Sequence, residues 1–269
     1  MAETSNHWLM DTEYFVCSGG ALKAMLVVGA LSVLEVLWKE RGGLASLKGV
    51  GGSSIGGMIA MLIAAGFTSK EIQLQFEHDL DFIHGDNDFI NLTTNYGINS
   101  GTKLVEHLKS LLVLKGFAPE VTLAQFYANT GKLLRIVVSN LTTEESETWD
   151  AHSAGHRLVV DAIATSMALP MLFCPTVEET ITERHYYVDG GVLWNLPFDL
   201  FDPMKTLAIW LPYQCTPIHS FKDYTERVLF ISWKALQDAQ YKLLPSGWKQ
   251  RILSLRSSIP FQSTASLLH

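Results

Sequence analysis

Three short stretches of this chain hold residue types that could do chemistry together. Residues 49–58 read GVGGSSIGGM, a glycine-rich turn around two adjacent hydroxyls. Residues 188–191 read VDGG, an acid at the end of a β-rich run, and residues 18–23 read SGGALK, a glycine loop ending in a cation. Glycine clusters serve several chemistries, each with its own further demand. A phosphate-cradling loop needs a lysine straight after its last glycine, and none follows Gly57. A dinucleotide fingerprint needs Gly-x-Gly-x-x-Gly, whereas Gly49-x-Gly51-x-x-Ser54 lacks the third glycine. Gly52-Ser53-Ser54-Ile55-Gly56 does fit Gly-x-Ser-x-Gly, the pattern of a nucleophile presented on a strained strand-to-helix turn. Side chains two residues either way would collide in such a turn. Gly52 and Gly56 therefore select Ser54, and not Ser53, as the candidate nucleophile.

A serine nucleophile needs a base to take its proton. None of the nine histidines stands in a recognisable catalytic setting. Asp189, followed by Gly190 and Gly191, does: it ends a β-run, where sheet enzymes place their chemistry, and the glycines turn the chain sharply away. Taken alone, the same residues also read as an ordinary Asp-Gly turn. His185 precedes the acid by four residues, about 13 Å along an extended strand and too far for a hydrogen bond. Gly19, Gly20, Ala21 and Lys23 lie between a strand and a helix, so their backbone N–H groups can converge on an anion such as a developing oxyanion.

The elements that must position these groups run β–loop–α–β–turn–α. The pattern predicts a strand at 13–17, a helix over 22–38 stopped by Gly42-Gly43, and a helix after Ser54 with Ile55, Ile59, Leu62 and Ala65 on one face. Residues 84–101 read as a loop excursion, 104–112 as an amphipathic helix and 133–138 as a buried strand with 146–149 as its antiparallel partner. Residues 161–169 read as a helix up to Pro170, with further strands at 185–188 and 207–211. That order implies an α/β fold with a mostly parallel central sheet.

The chain has 269 residues and a net charge of −7, room for one large domain and the wrong sign for a nucleic-acid binder. Cys17, Cys174 and Cys215 are widely spaced and form neither a disulfide framework nor a metal-ligand pattern, which points to a cytoplasmic protein with reduced thiols. The first residues lack the order of a signal peptide, and the uncharged run over 49–69 is too broken by glycine to span a membrane. Residues 239–269 carry Lys242, Lys249, Arg251 and Arg256 and no acid. With Trp248, Ile252 and Leu255 on one helical face, this segment reads either as an interfacial helix on an anionic membrane or as a terminal helix docked on the body.

Taken together, the three stretches resemble the patatin-like phospholipases, which combine a glycine-rich oxyanion loop with a basic residue, Gly-x-Ser-x-Gly some thirty residues on, and Asp-Gly-Gly. NYGINSGTKLVEHLKSLL, AQFYANTGKLLRIVVSNLTTEESETWD and DAIATSMALPMLFCPTV also resemble segments of that family, so the likeness runs from about Tyr14 to Pro212. The resemblance implies a three-layer α/β/α sandwich over 1–215, with 216–269 as a helical extension. It further implies a lipid acyl hydrolase of phospholipase A2 or lysophospholipase type, with Ser54 as nucleophile, Asp189 as base, and no metal or cofactor. Met58, Met61, Leu169, Met171, Leu172 and Phe173 flank the motifs and could line an acyl-chain groove. The family usually has glycine where this chain has Ala21 and Ala24, which narrows the loop's dihedral freedom. A catalytically weak or inactive lipid-binding relative, and an esterase with a histidine-containing triad, are the competing readings.

Overall fold

A computed structural model describes residues 7–20, 23–78, 88–213 and 217–256. Its strands are β1 (Tyr14–Cys17), β2 (Gly49–Ser53), β3 (Gly97–Asn99), β4 (Leu133–Asn140), β5 (Glu145–Trp149), β6 (Met171–Phe173), β7 (Thr176–Glu179), β8 (Arg184–Asp189), β9 (Thr206–Trp210) and β10 (Ile252–Ser254). Among the described residues the main sheet runs β10-β9-β1-β2-β4-β8-β7, with β5 also on β4. From β10 to β4 the neighbours are parallel, whereas β5 and β8 meet β4, and β7 meets β8, antiparallel.

Successive side chains of a strand point to opposite faces, and the core divides accordingly. Phe15, Cys17, Val50, Ile136 and Ile209 face one way, against Val27 and Leu31 of the helix Ala24–Leu37, Ile59 and Leu62 of the helix Ile55–Ala64, and Leu108 of the helix Thr102–Leu114. Val16, Val137, Ala208 and Trp210 face the other way, against Phe198, Leu200 and the chain's C-terminal segment. Every residue of Ile55–Ala64 is buried. At roughly 1.5–3 kcal/mol for each large apolar side chain, burial of this helix is a main force holding the turn before it in place. The central sheet is thus covered on both faces, as the α/β/α sandwich expectation requires.

Several expectations are corrected. Residues 84–87 lie outside the described residues, but 88–101 is not a plain loop. Asp88 caps a short helix, Phe89–Thr94, by accepting from the Ile90 N–H, and β3 pairs with β6 in a small second sheet. Such short elements depend on a partner far along the chain, which periodicity does not reveal. The helix expected at 161–169 runs Val159–Ser166 instead, and Ala168 turns out of it so that its carbonyl takes the Asp189 N–H at 2.8 Å.

In the C-terminal segment, Trp248, Ile252 and Leu255 share no helical face. The long helix is Phe221–Leu243, and Ile252 belongs to β10, which extends the sheet beside β9. Trp248 packs against Phe198 with ring centroids 5.7 Å apart, and the Leu255 N–H bonds to the Trp210 carbonyl. An open sheet edge competes with helix for those backbone groups, and here it wins. Residues 257–269 lie outside the described residues. No helix among the described residues is long and apolar enough to cross a membrane.

Candidate active site

The register of one strand brings the serine turn and the acid together. β5 occupies one edge of β4 from Ile136 to Asn140, so β2 and β8 share the opposite edge. On that edge Ser53 stands opposite Val137 and Asp189 opposite Val138, the next residue. β2 and β8 therefore arrive from opposite directions and end against one another. Asp189 does sit at the carboxyl end of its strand, but of an antiparallel one, which reaches the serine because it ends where β2 stops.

Ser54 leaves β2 with φ 55° and ψ −132°, a strained conformation for a residue with a side chain, and the helix Ile55–Ala64 follows at once. The glycines on either side are a steric requirement. A Cβ on Gly52 would lie 2.4 Å from the Cys17 carbonyl oxygen, and one on Gly56 would lie 2.2 Å from that same atom. The Ser54 N–H donates to Ser166 Oγ at 2.8 Å, and Ser166 Oγ donates to the Val137 carbonyl at 2.6 Å. A fully buried serine from the helix Val159–Ser166 thus pins the strained residue to β4. Ser53, also fully buried, points its hydroxyl toward the Gly190 position and away from solvent.

Asp189 is 3% exposed, and burial pushes its carboxyl up to about 6. Hydrogen bonds from the Ser54 side chain and from the Gly191 N–H, the latter 2.7 Å from Oδ1, pull in the other direction. A carboxylate with that pKa is ionised at neutral pH yet a far better proton acceptor than one in water. The Ser54 side chain, and no histidine, is among the groups that act on the Asp189 carboxylate. His185 instead faces Asn140 Nδ2 at 3.1 Å and Glu183 at 3.3 Å.

The glycine loop reaches the same place. Gly19 is close enough that a Cβ on it would sit 3.0 Å from Ser54 Cβ, while one on Gly20 would strike Leu211. Ala21 lies outside the described residues. Lys23 Nζ donates to the Pro212 carbonyl at 2.9 Å, tying the loop to the chain beyond β9, and burial lowers its ammonium pKa. The acid turn is held by Ser139, whose Oγ donates to the Gly190 carbonyl at 3.3 Å and accepts from the Leu193 N–H at 3.2 Å.

The structure thus gathers Ser54, Asp189, Gly19, Gly52, Gly56, Gly190 and Gly191 at one point. Of the residues expected to line an acyl groove, Met58 and Met61 are fully buried core and Met171 is exposed. Phe173 lines a cavity of about 280 Å³ with Leu104, Ala164 and Ala168. Ser166, Ser139 and Asn195 were not assigned from the sequence. Ser166 left a signal, a hydroxyl on the buried face of an apolar helix; Ser139 and Asn195 left none beyond their nearness to the motifs. Among the described residues no group of histidine, cysteine and acidic side chains is arranged to hold a metal ion.

A family model described as patatin-like phospholipase matches residues 15–202. A probable lipid hydrolase of Invertebrate iridescent virus 6, 463L, is 26% identical over 69% of this chain, which covers 61% of the viral protein. An uncharacterized protein of Bacillus subtilis (strain 168), YqhO, is 30% identical over 89% of this chain and 86% of its own length. The crystal structure of VipD from Legionella pneumophila superposes with a TM-score of 0.56 at 17% identity, covering 95% of this chain and 64% of that one. At that identity the likeness is one of fold.

Proposed function

This chain belongs to the patatin-like phospholipase family, and on that premise we propose that it cleaves carboxylic esters of glycerolipids, as a phospholipase A2 or lysophospholipase, through an acyl-Ser54 intermediate. The observation that carries the reading is the register on β4, which sets the strained turn at Ser54 beside the buried carboxylate of Asp189.

In acylation the Ser54 oxygen attacks the ester carbonyl while Asp189 takes its proton. The oxyanion so formed is met by backbone N–H groups of the loop at Gly19 and Gly20 and by the positive end of the helix Ile55–Ala64. Loss of one such donor in an acyl-transfer site costs roughly 3–4 kcal/mol. Collapse of the intermediate breaks the bond to the lysolipid or glycerol oxygen, which receives the proton from Asp189. A water molecule then gives a proton to Asp189 and attacks the acyl carbonyl, and collapse of this second intermediate releases the fatty acid as Asp189 passes that proton to the Ser54 oxygen, restoring both groups. The base need not be regenerated by any third residue.

Ser54→Ala and Asp189→Asn each abolish release of fatty acid from phosphatidylcholine vesicles while far-ultraviolet circular dichroism stays as in the wild type. Persistent hydrolysis by a folded Ser54→Ala protein contradicts the proposal.

For the basic segment 239–269 we retain a peripheral membrane contact, now through exposed cations such as Lys242 and Arg256 rather than an apolar helical face. Lys242→Glu with Arg256→Glu then lowers co-sedimentation with anionic vesicles; unchanged binding discards that role.

A further inference from the structure

Asn195 belongs to none of the three motifs, yet its buried side chain touches two of them. Its Nδ2 donates to the Gly19 carbonyl at 3.3 Å. Its Oδ1 is so close to two motif glycines that a Cβ would fall 2.5 Å from it at Gly19 and 2.6 Å from it at Gly191. The amide therefore fills the gap between the oxyanion loop and the acid turn. We propose that Asn195 is a positioning residue, holding the Gly19–Gly20 peptide so that its N–H serves the oxyanion formed at Ser54. This rests on the function proposed above and adds a residue to it.

The peptide group supplies the argument. It is planar and trans, so the Gly19 carbonyl and the Gly20 N–H point in opposite directions. Fixing the oxygen on one side fixes the donor on the other. Two adjacent glycines have the widest conformational freedom of any dipeptide, and outside bonds must remove it. The Gly19 carbonyl receives two: one from Asn195 Nδ2 and one from Ser18 Oγ at 3.1 Å. Ser18 Oγ is itself fixed, accepting from the Leu211 N–H at 2.9 Å.

The segment that carries Asn195 is equally constrained. The Leu193 N–H bonds to Ser139, the Trp194 N–H bonds to the Gly190 carbonyl at 2.9 Å, and Gln240 Nε2 donates to the Leu193 carbonyl at 2.8 Å. Asn195 thus joins the loop after β1 to the same turn that carries Asp189. The position asks for a donor on a short, flat group. Aspartate keeps the shape but sets an oxygen against the Gly19 carbonyl, and alanine leaves the gap open. The donors to Asp189 are Ser54 and the Gly191 N–H, so Asn195 acts on the loop and not on the base.

The test compares Asn195→Asp and Asn195→Ala with the wild type on a short-chain ester, each normalised to sites titrated by a fluorophosphonate. The inference expects kcat on the alkaline plateau to fall about 100-fold or more in Asn195→Asp, with KM within about threefold. It expects the acid limb of the Asn195→Ala profile to keep the wild-type midpoint. Amide hydrogen exchange over residues 14–24 should be faster in both variants, a readout independent of catalysis. Wild-type kcat in Asn195→Asp, or unchanged exchange in that segment, overturns the inference while leaving the Ser54–Asp189 reading intact. A wild type that neither labels nor hydrolyses overturns that reading, and faster exchange in the variants would then still support Asn195 as the loop's anchor.

Discussion

Ser54 and β10 stand on the same sheet under opposite conditions. Around Ser54 the neighbours are rigid and buried: the Cys17 carbonyl beside Gly52 and Gly56, the Ser166 hydroxyl on its N–H, and the Asp189 carboxylate at the end of the adjoining strand. At the rim, β10 is three residues long and the segment leading to it rests on aromatic faces, Tyr241 of the helix Phe221–Leu243 on Trp210 and Trp248 on Phe198. Strain is kept where the surroundings are rigid. A residue held at φ 55° persists only because rigid groups on all sides over-determine it, whereas the rim is held by contacts that adjust.

Substitutions should follow that contrast in size. Gly56→Ala drives a Cβ into the Cys17 carbonyl and is expected to destabilise by at least about 3 kcal/mol in urea unfolding. Gly57→Ala, one residue on, meets nothing closer than 3.4 Å and should be neutral or stabilising by up to ~1 kcal/mol, as alanine favours helix. Equal effects at the two positions would break the comparison.

Asp189→Asn should move stability and activity in opposite directions. The folded pKa of Asp189 is raised to about 6, above the unfolded value, so the folded form holds its proton more tightly. Its favourable contribution is complete below about pH 4 and is lost as pH rises through about 6. At pH 8 the variant, which has no charge to bury, is therefore expected to be more stable by roughly 2–3 kcal/mol, a gain that vanishes near pH 4. A variant less stable than the wild type at pH 8 would show that the buried charge is not a burden.

Ser166→Ala leaves the buried Ser54 N–H without its acceptor, worth about 1–3 kcal/mol of stability and slower labelling of Ser54. Trp248→Ala, at the rim, should cost about 1 kcal/mol and leave turnover unchanged. A larger catalytic effect from Trp248 than from Ser166 would reverse the ranking of the two regions.

Legibility in the sequence divides along the same line. The elbow could be read because its steric demands are local: glycines two residues either side of a serine are a consequence of the turn itself. Asp189 could be read as a candidate, but its approach to Ser54 depends on β4 offering consecutive residues, Val137 and Val138, to two strands. No local pattern encodes that pairing. Lys23 read as part of the loop chemistry, but its bond to the Pro212 carbonyl joins residues 189 apart and leaves no mark in the local pattern. The basic segment misled for a related reason. Trp248, Ile252 and Leu255 do have helical spacing, but the open edge of β9 decides the conformation of Ile252–Ser254, and an edge belongs to the assembled sheet.

The pH dependence of fluorophosphonate labelling at Ser54 tests the central claim most directly, since that reaction requires the proton to leave the serine. The account predicts a rate that rises through one ionisation near pH 6 in the wild type. In Asp189→Asn that ionisation should be absent and the rate low at every pH. The same midpoint persisting in Asp189→Asn, or vanishing on replacement of a histidine, would show that another group draws the proton from Ser54.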